Sequence, residues 1–213
     1  MRGVQSASAG WESGKAMLVC TDKITCVRMH ELILPLWRKR IAELEAELAG
    51  INDDQEVQFR QQQLAWMRET LMAVVVSEEQ GEVDRFRKWN LDVKPHRQFI
   101  TEGFELPDSQ RMSLEKAFKQ EAHPFRVAIV CAMWMTGFDV PCMANLCLDK
   151  PLKAHTLMQA IARANRVNEG KENGLIVDYC GILKNLRKAL ATCVAFSKKP
   201  WIRTFCPRAW RHA

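Results

Sequence analysis

Gln159, Arg163 and Arg166 stand in the run TLMQAIARANR, residues 156–166, where apolar spacing predicts a short helix. Steps of ~100° per residue place all three within an arc of about 60°. Leu157, Ala160, Ile161 and Ala164 fall on another face. Guanidiniums stay charged and fork onto phosphate oxygens, so two of them aimed the same way suit a polyphosphate. Thr156 and Gln159 also fit a capping box, which would give the glutamine a purely structural task. Upstream, Thr136-Gly137-Phe138-Asp139-Val140-Pro141 follows an apolar run. Gly137 permits a backbone conformation, or a close approach, that a Cβ would block. Asp139 can accept from a ribose hydroxyl or orient an arginine; the same six residues also make an ordinary tight turn.

These groups need a rigid frame. Five short apolar runs supply one: Ala16–Cys20, Leu71–Val76, the run from Phe125, Asn145–Asp149 and Gly174–Asp178. Alternating with helical stretches, they predict an α/β fold with a doubly wound parallel sheet. Ligands of such sheets sit beyond the carboxyl ends of the strands, where Asp139, Asp149 and Asp178 fall. Thr21 or Asp22 is placed to cap a first helix, and Pro35 to begin a second. Trp37, Ile41, Leu44 and Leu48, then Val57, Leu64, Met67 and Leu71, form a narrow apolar seam. That seam predicts an antiparallel helical hairpin over residues 35–71, inserted beside the sheet, either as packing or as a docking arm. Ser77 is expected to cap a helix through Trp89, residues 92–103 to be irregular, and Asp108 or Ser109 to cap a helix ending at Gln120. A closing helix is expected over Gly181–Phe196.

Charge and cysteines narrow the classes. The net charge is +6, but the last eighteen residues carry five basic groups and no acid. Setting those five aside leaves 26 basic residues against 25 acidic ones, so composition shows no basic stripe on the body. None of the eight cysteines forms a CxxC pair and no histidine stands at finger spacing, which argues against a zinc site; no metal ligands are expected. Four cysteines lie in or just after apolar runs, as small buried hydrophobes of a reduced, cytoplasmic protein do. No apolar run approaches the ~18–20 residues of a membrane span. The first fourteen residues lack the apolar core of a secretory signal and are expected to be a flexible lead-in.

TGFDVP followed by LDKPLKAHTLMQAIARANRV resembles motifs V and VI of superfamily-2 helicase-like ATPases, and its wording is closest to the restriction (R) subunit of type I restriction–modification systems. KAMLVCTDKITCVRMHELI resembles the motif IV region of that family, and the likeness extends over about residues 15–195. Ala162 stands where superfamily-2 proteins generally have a glycine.

The resemblance implies a RecA-like second ATPase lobe over 15–195 and ATP with Mg²⁺ as cofactor. In it Arg163 and Arg166 would be arginine fingers, with Gln159, Gly137 and Asp139 lining the cleft. Thr136, Cys20 and Thr21 would touch the DNA backbone. The implied partners are double-stranded DNA, a first ATPase lobe, and the modification and specificity subunits. The sequence has no GxxxxGK[ST] loop, no DExH-like carboxylate pair and no nuclease domain. The chain alone is therefore expected to turn over no ATP. Residues 196–213 form an atypical basic tail without helical period, for which a shifted reading frame or a truncated gene is the expectation. Two other classes stay open: a non-catalytic α/β interaction module that docks through the hairpin, and the second lobe of another superfamily-2 DNA or RNA helicase.

Overall fold

A computed structural model describes residues 14–106, 110–135, 137–152, 154–164 and 174–182, without the side chains of Ala154, His155 and Arg163. All five expected strands form: β1 (Lys15–Cys20), β2 (Leu71–Val75), β5 (Phe125–Val130), β6 (Met143–Asp149) and β7 (Leu175–Asp178). They pair in parallel in the order β2-β5-β1-β6-β7. Strands this apolar are buried on both faces, and their residues divide by parity between two cores. Met17, Val19, Val75, Val130, Leu146 and Leu148 face one core, with Leu114, Phe118, Leu157 and Ala160 packed on them. Leu18, Cys20, Val74, Val76, Ile129 and Cys131 face the other, under Cys26, Val27 and Phe86.

The helices depart from expectation where proline misleads. Helix α1 (Lys23–Leu48) is one unbroken helix with Pro35 inside it, not two helices meeting at Pro35. A proline in a helix interior removes one hydrogen bond and costs about 3 kcal/mol. Here Pro35 and Glu31 are both exposed, so the unpaired carbonyl of Glu31 can be hydrated. Packing on either side holds the helix straight through: Cys26 and Val27 seat on the sheet, and Leu44 on α2 (Asp54–Glu69). Leu44, Leu64 and Met67 form a third small core, and Trp37 Nε1 donates to the Met67 carbonyl at 3.0 Å. Of the two caps expected for the first helix, Asp22 caps α1, and Asp53 caps α2, their carboxylates accepting from Thr25 N and Gln55 N.

Residues Ser77–Gly81 are a loop, and α3 (Glu82–Arg87) begins after Gly81 at φ 73°, so Ser77 is not its cap. The stretch expected to be irregular contains α4 (Lys94–Glu102), with Pro95 in its first turn, where a missing N–H costs nothing. A small antiparallel pair follows, β3 (Phe104–Glu105) with β4 (Arg111–Met112). Ser113 caps α5 (Leu114–Lys119) through Lys116 N; the expected caps Asp108 and Ser109 lie outside the described residues. Helix α6 (Ala154–Ala164) already contains Thr156 as its third residue, so the capping-box reading of Thr156 and Gln159 fails. The closing helix lies outside the described residues beyond Ile182, as do the lead-in and the tail.

Two arginines pin this framework. Arg126 on β5 donates to the Trp66 carbonyl at 2.8 Å and to Thr70 Oγ1 at 3.1 Å, approaches Glu69 and stacks on the Trp66 ring, fixing the end of α2 to the sheet. Arg97 on α4 forks onto Glu82 and donates to the carbonyls of Val76 and Ser77 just past β2. Helix α4 thereby lies along the edge strand: its His96 meets His30 of α1, while Phe99 and Ile100 pack against the opposite core.

At the amino end of β1, Lys15 is fully buried, its ammonium donating to the carbonyls of His123 (2.5 Å) and Phe125 (2.9 Å). Burial lowers its pKa to about 8, below the 10.5 of a free lysine. The charged form is therefore penalised in the fold at neutral pH, and that penalty lifts as pH rises from 8 to 10.5, where the unfolded chain still holds the proton. At ~1.4 kcal/mol per unit this is worth about 3 kcal/mol. Denaturant titrations should show wild type gaining stability over Lys15→Met across that window; parallel pH profiles for the two would refute it. Arg126→Ala should lower stability by about 2 kcal/mol, read as a shifted denaturation midpoint, because charge-assisted bonds to the α2 terminus are lost.

Candidate functional site

Because all five strands run the same way, their carboxyl ends meet at one edge. From β1 the chain crosses toward β2, whereas from β6 it goes to β7, so the connections diverge between β1 and β6. Such a divergence opens the crevice in which α/β sheets bind ligands. Here it is flanked by Cys20 and Thr21 on one side and by Asp149 and Lys150 on the other.

The edge is tied by side chains that satisfy strand-end carbonyls. Thr21 Oγ1 donates to the Asp149 carbonyl across the crevice at 3.0 Å. Lys150 Nζ donates to the Cys131 carbonyl at 2.8 Å, joining the end of β6 to the start of the loop after β5. The Tyr179 amide donates to the Leu148 carbonyl at 2.9 Å, and the buried Asp178 carboxylate accepts from Cys180 N at 3.0 Å. Burial raises the pKa of the Asp149 carboxyl. Further along the edge, Glu79 holds both Lys23 (3.1 Å) and Arg85 (2.9 Å).

The expected site residues take distinct places in this frame. Gly137 is exposed at φ 70°, with nothing within 4 Å of where a Cβ would stand, so its backbone angle and not a close approach calls for glycine. Asp139 is half-buried between Phe138 and Val140, whose side chains enter the core. Phe138 stacks on Trp134 at 4.2 Å, and Met17, Met135, Met143 and Ala160 close around them, so the loop and α6 rest on shared packing. Gln159 is half-buried on α6, which seats Leu157, Ala160 and Ala164 in the core. Arg163 lies four residues further along the same helix; Arg166 and Thr136 are outside the described residues. Thr21 is exposed, but its one hydroxyl proton is committed to Asp149, and the Cys20 side chain is fully buried. The Thr21 hydroxyl and the Cys20 thiol are thus both engaged within the fold.

Lys150, Lys23 and Arg97 escaped the sequence reading. Lys150 had a usable signal, a cation directly after the strand-end Asp149; Lys23 and Arg97 meet partners 56 and 15–21 residues away, which no local pattern encodes. Among the described residues no group of three or more His, Cys, Asp or Glu could hold a metal ion, and no helix is long and apolar enough to cross a membrane.

Known proteins are similar to this sequence. The chain is 55% identical over 83 residues, 38% of its length, to the endonuclease subunit of the type I restriction enzyme HindI of Haemophilus influenzae, 8% of which is covered. It is 47% identical over 87 residues to the MjaIXP type I restriction endonuclease subunit of Methanocaldococcus jannaschii, covering 41% of this chain and 8% of that one. With the MjaVIIP subunit of the same organism it shares 30% identity over 177 residues, 83% of this chain and 14% of the relative. The chain thus spans a small fraction of the length of these relatives. The profile of type I restriction enzyme subunit R domain 3 matches residues 49–181, more than half of the chain, which therefore belongs to the R-subunit family of type I restriction enzymes.

Proposed function

We propose that this chain is the second RecA-like lobe of an R subunit, supplying one wall of an ATP site and part of a DNA track. The observation that carries the reading is the seating of α6: directly after β6, beside the diverging connections, with its small apolar face locked in the core. A helix held this firmly can fix the backbone positions from which Gln159 and Arg163 would act, as an arginine finger requires, and Arg166 follows three residues on in the sequence. Gly137 and Asp139 stand on the neighbouring loop, coupled to α6 through Phe138 and Ala160.

The residues present fit part of an ATP site. The exposed Gly137 turn leaves room beside the loop, and α6 carries Arg163; no described cluster suits Mg²⁺, which would be held by a first lobe. Bound ATP would supply the γ-phosphoryl group, whose charge spreads over its outer oxygens at the transition state. The task of Arg163 and Arg166 is to lie against those oxygens. Asp139 would orient an arginine or accept from the ribose, and Gln159 would line the cleft. The Thr21 turn and Thr136 would track the DNA backbone, with Cys20 contributing only position. Modification and specificity subunits would be further partners, and DNA cleavage would belong to the assembled enzyme. The second half of α1 and α2 form an inserted antiparallel hairpin in this reading. Its Arg40, Arg60 and Arg68 pair with Glu43, Glu47, Glu56 and Glu45 of α1 and α2, which suits a spacer better than a DNA-binding arm.

One observation favours a docking role as well: Leu32 and Leu36 are 44% and 49% exposed on consecutive turns of α1. Family membership leaves the other superfamily-2 branches without support.

The isolated chain should show no DNA-stimulated ATP turnover above background. Grafted as residues 15–182 into a full-length relative such as the H. influenzae subunit, it should support turnover that Arg163→Ala or Arg166→Ala lowers on the order of 10³-fold. Turnover by the isolated chain that Arg163→Ala abolishes would overturn the one-lobe reading; an active graft indifferent to both substitutions would overturn the finger assignment. If the chain is instead an interaction module, Arg163→Ala is silent and deleting the hairpin loses partner binding.

A further inference from the structure

Two cations from separate helices close on one carboxylate at the carboxyl edge. Glu79, in the loop after β2, takes the Arg85 guanidinium of α3 in a fork, at 2.9 Å through Nη1 and 3.2 Å through Nη2. Lys23, the first residue of α1, donates to the same carboxylate at 3.1 Å. Lys23 keeps 15% of its side chain in water, whereas Glu79 keeps 44% and Arg85 49%. The lysine is the inner partner of the trio and the carboxylate the outer one. Thr21, two residues before Lys23, spans the crevice to Asp149, so the trio stands beside the candidate ligand site.

The backbone on either side of Glu79 is anchored. Arg97 holds the carbonyls of Val76 and Ser77, and the Glu79 carbonyl accepts from Glu82 N at 3.2 Å. A change of partner at the two cations therefore needs only rotation of the Glu79 side chain. The neighbouring acids are committed elsewhere: Asp22 caps α1 at Thr25 N, Glu82 meets Arg97, and Asp84 meets Arg87. Two positive charges against one negative leave the trio cationic. Exposed ion pairs contribute little, because both partners are well solvated when apart. An arginine fork that fits a carboxylate also fits two oxygens of a phosphate, and lysine binds phosphate as a point charge.

We propose that Lys23 and Arg85 form a phosphate-binding site at the carboxyl edge, which the Glu79 carboxylate fills until a phosphate displaces it. Glu79 then acts as an internal competitor that keeps the two cations apart from weakly held anions. A phosphate can arrive on a nucleic-acid backbone or free in solution. The backbone is the stronger competitor, since each phosphate neutralised there also releases a condensed counterion. That source rests on the DNA-track reading given above; the site itself rests on the geometry of the trio.

Fluorescence anisotropy of a short labelled DNA duplex, titrated with the full chain over a range of salt, reads the site. Glu79→Gln should bind the duplex about fivefold more tightly than wild type, with a salt slope steeper by about one; Arg85→Ala should bind more weakly, with a slope shallower by about one. A gain of binding cannot come from misfolding. Glu43→Gln removes the same charge from the far half of α1, where it meets Arg40, and should change affinity by less than about twofold. Inorganic phosphate, with ionic strength matched by chloride, is the second probe, read as the rise in thermal midpoint of wild type and Glu79→Gln. If no variant binds duplex but phosphate stabilises Glu79→Gln more than wild type, the site stands as one for free phosphate and the DNA-track reading fails. Duplex binding indifferent to Glu79→Gln and Arg85→Ala, or tightened equally by Glu43→Gln, would overturn the site and leave the DNA track standing. No response to either probe would overturn both.

Discussion

Parallel strands that end together leave their last carbonyls crowded at one edge, without a following turn of sheet to pair them. Buried carbonyls without partners are expensive, so they are satisfied by whatever polar groups can reach. In this chain the supply comes from other strands and helices: Thr21 to Asp149, Lys150 to Cys131, Arg97 to Val76 and Ser77, and the Tyr179 amide to Leu148. The same edge is where a ligand would bind. Groups that look available for chemistry by position are thus partly engaged in holding the edge together. Thr21 is the clearest case, since its exposed hydroxyl has a single proton and a main-chain acceptor 3.0 Å away.

That constraint explains which residues of the candidate site are structural. Phe138 and Val140 flank Asp139 and enter the core, so the loop after β5 cannot swing as a free turn. Helix α6 is fixed through Leu157, Ala160 and Ala164, and Ala160 touches the packing around Phe138. Movement of the loop would disturb α6, and the reverse holds too. Rigid elements position functional groups more accurately than loops do, and here the loop borrows its rigidity from the helix.

The sheet was legible in the sequence because strands covered on both faces must be apolar along their whole length, as Ala16–Cys20 and Leu71–Val75 are. The helices were legible only where local rules decide. Asp22 and Asp53 cap as their types suggest, because capping is settled within three residues. Pro35 and Pro95 misled in opposite directions. Tertiary packing carried α1 through the first, and the first turn of α4 absorbed the second. Strands β3 and β4, two residues each, are too short to show any period. In the site, the positions of Gln159 and Arg163 on one helix were readable from spacing; the use of Thr21 was not, because its partner lies 128 residues away.

Lys15 shows the contrast between the two ends of the sheet. At the amino end a lysine is buried completely and kept by two carbonyls, a costly placement. At the carboxyl end Lys150 and Lys23 keep part of their surface in water while holding a carbonyl and a carboxylate. A charge that remains hydrated can exchange partners at little cost, whereas a buried one cannot. The Lys15 ammonium is therefore held in place, whereas those of Lys150 and Lys23 can change partners at lower cost. Parallel strands make this difference directional, since every connection that could carry a ligand-binding loop after a strand leaves from the hydrated end.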